Sequence, residues 1–424
     1  MTTQIPKMIE VRQSYPASKQ LDFPALLEQQ FARTGVRAKI TPGMKIAVGV
    51  GSRGVANLKE IVQATIALLK SAGAKPFVVP AMGSHGGATA EGQTEVLAGY
   101  GVTAESVGVP IEASMEVRRI GTALDGRDVV FSAAALEADG VVAINRVKPH
   151  TDFGGPLGSG IQKMLTIGFG KQVGANNAHR LITRLGHETV IRAFSQAILK
   201  NVPVLCGVAL VEDQHHETAE LEVLRPEEIV SGEERLLKRA WELMPLLPVE
   251  EIDLLIVDEL GKEISGAGMD PNVIGRDIMG YSASLVPDNT RKRHIYRILV
   301  RDLSAATHGN GIGIGHADFT TIRAVKALDR HATYMNALTS IGLLPAKIPI
   351  YFDTDREAIE EALATLAVED TTKLRVVRIA NTLNLERLLV SESCVEVLAG
   401  RAGVSLTGTA QPMAFDEGGN LPPL

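Results

Sequence analysis

His85 in PAMGSHGGAT and His150 in RVKPHTDFGG each follow an apolar, β-branched run and sit among glycines. An imidazole so placed has little apolar cover, and the flanking glycines let the backbone approach a ligand closely. Two histidines at neighbouring strand ends can serve as a paired acid and base near neutral pH. A turn or capping role is the plainer alternative for His150. Lys163 in IQKMLTIGFG and His179 in KQVGANNAHR, sixteen residues on, read singly as a surface lysine and a polar helix-end residue. His215 and His216 stand among acids in a solvated turn, and no HExxH or other close ligand pair occurs. Spacing alone therefore gives little sign of a metal.

A second candidate is KIAVGVGSRG, residues 45–54, where Gly49, Gly51 and Gly54 have the G-x-G-x-x-G spacing between an apolar run and a helical pattern. A dinucleotide site also needs an acidic residue at the end of the next strand to hold the ribose. That strand ends in VVPAMGSH, without a carboxylate. A nicotinamide-dependent 2-hydroxy acid dehydrogenase is thereby disfavoured, and the glycines read equally well as a tight, closely packed turn. Arg53 at the mouth of this turn can pair with a carboxylate or phosphate beside a helix N-terminus.

These loops need a scaffold, and the chain supplies a repeating α/β pattern. KIAVGV, KPFVVP, RDVVF, GVVAINRV and VPVLCGVALV predict strands. A helix presenting Leu58, Ile61, Val62, Leu68 and Leu69 on one face, and HETVIRAFSQAILKN, lie between them. Such alternation predicts mostly parallel, buried sheets. The helix PEEIVSGEERLLKRAWELM leads to Leu246, Leu247 and Pro248 and then a fresh strand, IDLLIVDEL, which places a domain boundary near residue 248. The expectation is two α/β domains, 1–248 and 249–424, with an active-site cleft between them. After 249 the pattern predicts strands HIYRILV, KIPIYF and LRVVRI, helices from about Asp318 and from Asp355, a last helix, and a loosely held arm GTAQPMAFDEGGNLPPL.

With 424 residues and 45% hydrophobic content the chain has ample material for two cores. The net charge of −6 and scattered Lys and Arg offer no basic face, which argues against nucleic acid as a partner. No uninterrupted apolar run has the length of a membrane span, and MTTQIPKMIEVRQ lacks the plan of a secretory leader. A soluble cytoplasmic protein is expected. Cys206 and Cys394 lie in apolar patterns and read as buried thiols.

Taken in order, the Ser52–Arg53 turn, GSHGGAT around His85, KPHTDFGG around His150, and the spacing from Lys163 to His179 resemble the lactate racemase family over roughly residues 45–180. Members of that family use a nickel-pincer nucleotide, a pyridinium-3-thioamide-5-thiocarboxylate mononucleotide carrying nickel. The resemblance implies a racemase or epimerase of 2-hydroxy acids. It implies that Lys163 tethers the cofactor, that His179 is the protein ligand on nickel, and that His85 and His150 are the acid and base pair. Arg53 is then similar to the arginine that holds substrate, and Ser52, Gly154, Gly155, Gly158 and Gly160 would wrap the nucleotide. The expected partners are a small 2-hydroxy acid and the cofactor-synthesis enzymes. A binding or maturation protein that holds metal or nucleotide without turnover is the non-catalytic alternative.

The chain departs from the lactate-specific pattern in one stretch, GAGMDPNVIGRDIMG. Asp270 and Asn272 fit, but Gly275 and Ile278 stand where a Gln and a Lys belong. Other groups must then meet the far end of the substrate. Lys262, Asn272 and Arg276 are the candidates, and a dicarboxylate or an aldonate suits them better than lactate.

Overall fold

The computed structural model describes residues 3–51, 55–151, 154–276, 293–340 and 342–424. They form two compact units, one from residues 17–244, the other from the segment up to Pro16 together with the described residues from 245 on. Both are α/β.

Strand β1 (Met8–Gln13), which the sequence reading counts within 1–248, runs in the second unit's sheet, where β-partners flank it on both sides. The first unit is built on β2 (Lys45–Val50), β3 (Lys75–Pro80), the hairpin β4 (Val117–Ala123) and β5 (Arg127–Ser132), β6 (Gly140–Arg146), β7 (Val204–Glu212) and β8 (Thr218–Leu224). Its main sheet has the order β3-β2-β6-β7-β8, parallel except for the β7–β8 pair. Side chains alternate between two cores, as the period of a strand requires. Ala47, Val79, Val141 and Ala143 face a core with Ile161, Leu165, Phe169 and Ile191. Ile46, Val48, Val78, Val142 and Ile144 face the other, with Ile61, Val62 and Leu69 of the Leu58–Ser71 helix. Each such aliphatic side chain, fully buried, contributes about 1.5–3 kcal/mol.

RDVVF, expected in the parallel sheet, lies instead in the separate antiparallel hairpin β4–β5. The tip carries Leu124, Asp125 and Gly126 at positive φ, the backbone that folds a chain straight back on itself. Cys206 is fully buried in β7, and burial pushes its thiol up to about 12.

The second unit carries β9 (Glu251–Leu260), β10 (His294–Leu303), β11 (Phe319–Thr321), β12 (Ile350–Phe352), β13 (Val376–Ile379), β14 (Arg387–Ser391) and β15 (Val404–Gln411). With β1 they give an eight-stranded sheet, β12-β11-β10-β9-β13-β14-β1-β15, parallel from β12 to β13 and antiparallel beyond. Three expectations are corrected. The helix from about Asp318 is first a strand, β11, and then two helices, Ile322–Ala327 and Arg330–Ser340, separated by a short break. The last helix is reduced to Val395–Leu398 between β14 and β15.

The terminal arm is not loosely held. Buried Arg301 and Arg378 donate to the carbonyls of Leu421 and Pro422, while the amides of Leu421 and Leu424 donate to Asp355 and Asp258, both at 2.9 Å. Arg301 and Arg378 also pair with Asp258, so the tail completes a buried network in which each charge has a partner.

Candidate functional site

The site begins where β6 ends. Past Arg146 the chain runs to Lys148 and His150, loops, and returns so that Lys148 and Ser159 exchange backbone hydrogen bonds at 3.1 and 2.9 Å. The glycines expected to wrap a nucleotide have other work in this loop. A Cβ at Gly158 would overlap the Lys148 carbonyl, and one at Gly160 would overlap the Glu233 carboxylate. Gly155 has positive φ and Gly154 is half-buried. The two later glycines therefore permit close packing of protein on protein.

From Gly160 the chain enters a short helix, Ile161–Lys163, continued by a wider π turn, Met164–Gly168. Such widened turns recur at functional sites. Glu233, from the Ile229–Leu243 helix and only 3% exposed, fastens the entry. It accepts from the Ile161 amide, from the Gln162 amide at 3.2 Å and from Gln162 Nε2 at 2.9 Å. Asn145 on β6 donates to the Gly160 carbonyl at 2.8 Å. Burial raises the Glu233 carboxyl to about 7, against the lowering effect of those donors.

Held in this way, Lys163 brings its Nζ to 2.5 Å from His150 Nε2. His150 is buried, and its ring lies 4.9 Å from that of His187, centroid to centroid, at 47°. His187, at the start of the His187–Asn201 helix and 4% exposed, has its basicity pushed down to about 3 by burial first, then by the charges of Lys163 and His179. It is a neutral imidazole at any working pH. His179, on the exposed side of the Lys171–Leu185 helix, is thus close enough to act electrostatically on the same group. The structure brings Lys163, His150 and His179 into one neighbourhood and adds His187.

His85 arrives from β3. Its turn contains Gly83, Gly86 and Gly87, all at positive φ. The Gly83 amide donates to the Gly168 carbonyl at 3.1 Å, which seats the turn directly on the chain that follows Lys163. A Cβ on Gly168 would press to 2.6 Å from the Ala81 carbonyl, so only glycine allows that approach.

Gly49 has a packing task too. A Cβ there would run into the Phe169 ring, which stacks on Phe131 at 4.6 Å. Gly49, within β2, thus makes room for the residue that follows the π turn, a use unrelated to a dinucleotide. Ser52, Arg53 and Gly54 lie outside the described residues.

In the second unit, Lys262 donates to Asn336, and Asn272 is buried with its amide on Asp270 Oδ1 at 2.9 Å. Arg276 pairs with Asp318 at 2.7 Å and donates to the Ile295 and Tyr296 carbonyls at 3.3 Å. These bonds commit Arg276 to the fold of its own unit. Among the described residues no group of three or more His, Cys, Asp or Glu is placed to hold a metal ion, and no helix is long and apolar enough to cross a membrane.

Sequence reasoning missed His187 and Glu233. His187 opens a helix after Gly186, where a histidine reads as an ordinary end residue, and nothing local marks Glu233.

Residues 9–189 match the family model described as lactate racemase N-terminal domain. No curated protein sequence matches the chain. Among solved structures it is similar to the lactate racemase apoprotein from Thermoanaerobacterium thermosaccharolyticum, at 15% identity and a TM-score of 0.46 over 89% of each chain.

Proposed function

We propose that this chain, whose residues 9–189 match the lactate racemase N-terminal domain, is a racemase or epimerase inverting the C2 centre of a 2-hydroxy acid. The observation that carries this reading is the meeting of the Lys163 amine with His150, beside His187 and within the electrostatic reach of His179. A nucleophilic amine and an imidazole ligand in one neighbourhood fit a nickel-pincer nucleotide, with Lys163 as its tether and His179 as the ligand on nickel. A metal held by one side chain and by the donor atoms of a cofactor needs no cluster of protein ligands. When bound, that nucleotide supplies the acceptor for the C2 hydride, a chemistry side chains lack.

The proton is the protein's task. His85 and His150 serve as acid and base at the C2 hydroxyl, one for each enantiomer, and exchange roles with the direction of inversion. Lys163 Nζ stands 2.5 Å from His150 Nε2, so a cofactor tethered through Lys163 would lie beside the imidazole that handles the proton. His187, neutral and buried against the His150 ring, fixes the plane of the imidazole without competing for the proton. Arg53 and Ser52 would hold the substrate carboxylate and the cofactor. Gly154 and Gly155 are the loop residues proposed to meet the nucleotide. Asn272 and Lys262 remain the proposed contacts in the second unit for a dicarboxylate or aldonate.

The test is a panel of single-enantiomer 2-hydroxy acids given to protein produced together with the cofactor-synthesis enzymes, followed by chiral chromatography. At least one acid loses optical purity with wild type and none does so with His150→Ala. Oxidation to the keto acid at the expense of added nicotinamide dinucleotide, without inversion, would replace this reading by a dehydrogenase.

A further inference from the structure

Lys171 is fully buried, yet it faces neutral oxygens: its Nζ donates to the Pro80 carbonyl at 2.6 Å and to Gln93 Oε1 at 2.9 Å. Gln93, also fully buried, turns its Nε2 to the Gly83 carbonyl at 2.8 Å and the His85 carbonyl at 3.4 Å. Pro80, Gly83 and His85 belong to one stretch, the end of β3 and the turn beyond it. Lys171 opens the helix that carries His179 and stands eight residues past Lys163. Its backbone has φ +54, a conformation in which glycine is far cheaper than lysine.

We propose that Lys171 is a positioning residue that acts through Gln93 to lock the His85 turn onto the segment carrying Lys163 and His179. This rests on the reading of His85 as a proton-transfer group. The ammonium and the amide form a two-link brace from one segment to the other, beside the direct bond from the Gly83 amide to Gly168. Burying a cation among neutral acceptors carries a cost, visible in the Lys171 amine, which burial pulls down to about 8. A methionine of similar shape would fill the same space without that cost, so the choice of lysine points to its donors. The chain thus fixes a candidate base to a candidate tether that comes from a different strand end.

The brace is tested in cofactor-free protein by hydrogen exchange resolved to peptides, with Lys171→Met, Gln93→Met, the double variant, and Gln93→Glu. Lys171→Met speeds exchange in residues 81–88 about tenfold, the effect of losing one well-buried hydrogen bond, and adding Gln93→Met adds little. Gln93→Glu keeps an acceptor for Lys171 but removes the donor to the turn. It speeds the same peptide while the unfolding midpoint stays at the wild-type value, which a merely structural role would not produce. In loaded enzyme Gln93→Glu lowers kcat with KM and the Lys163 adduct retained. Wild-type exchange at 81–88 in Gln93→Glu, or an equal rise through β2 and β6 in every variant, overturns the brace. Absence of any adduct on wild-type Lys163 overturns the functional reading and leaves the exchange result to stand by itself.

Discussion

Replacing Glu233 by glutamine gives a pH signature that follows from burial. The Glu233 carboxyl is raised from 4.5 to about 7 although it accepts three N–H donors, so burial outweighs them. The folded state therefore holds the proton more tightly than the unfolded chain. Stability from this group is fully present below about pH 4.5 and is lost as pH rises through about 7. The gap corresponds to roughly 3 kcal/mol in all, of which roughly 2.5 kcal/mol falls between pH 5 and pH 8. At 3% exposure there is little solvent screening to reduce it. Glu233→Gln removes the titration and sets an amide against one of the Gln162 donors, a penalty of about 1–3 kcal/mol that does not vary with pH. The assay is urea unfolding from pH 5 to pH 8, followed by the fluorescence of Trp241, the single tryptophan, which stands on the same helix as Glu233. The stability of wild type relative to the variant is highest at pH 5 and falls by roughly 2–3 kcal/mol by pH 8. Parallel curves would refute the reasoning, and would mean that the carboxylate is ionised and satisfied by its three donors throughout.

Four further outcomes are expected. His179→Ala leaves the fold intact, because the side chain is exposed, and lowers the nickel content of loaded protein to about a tenth or less, read by elemental analysis of the purified enzyme. His85→Ala and His150→Ala each slow inversion by at least about 100-fold, while the mass of the Lys163 adduct is unchanged; chiral chromatography and intact mass read the two separately. His187→Ala removes the ring that packs on His150, costs about 2 kcal/mol in urea unfolding, and slows inversion even where the adduct is complete. Asp355→Ala leaves buried Arg301 with Asp258 alone and takes the acceptor from the Leu421 amide, which costs about 1–3 kcal/mol and exposes the last residues of the tail to carboxypeptidase.

Those predictions divide between residues whose importance is visible in the sequence and residues whose importance is not. The strands β2, β3, β6 and β7 announce themselves as short β-branched runs, and the Leu58–Ser71 helix by its apolar face, because burial imposes periods of two and 3.6 on the chain. Strand β4 escapes that reading since VRRIGTA is half exposed and carries no such pattern, so RDVVF is recognised as a strand but not as half of a hairpin. The terminal arm is polar and rich in glycine and proline, so its hold on Arg301 and Arg378 is invisible until Asp258 and Asp355 are brought beneath it. His85 and His150 stand out as candidates because loops after parallel strands are where ligands lie. Lys171 and Glu233 do not. Their partners are 78 and 71 residues away, and a lysine or glutamate in a helical stretch ordinarily signals a solvated face. Of the two readings open for Gly49 the structure shows close packing, against Phe169, and Gly158 and Gly160, expected to wrap a nucleotide, each make room for protein.

The most direct test of the Lys163 reading is intact-mass spectrometry of the protein produced with and without the cofactor-synthesis enzymes, with peptide mapping of any added mass. A covalent adduct confined to Lys163, present only with those enzymes and absent from Lys163→Met, is the expected result. An unmodified Lys163 in protein that nonetheless inverts a 2-hydroxy acid would contradict it.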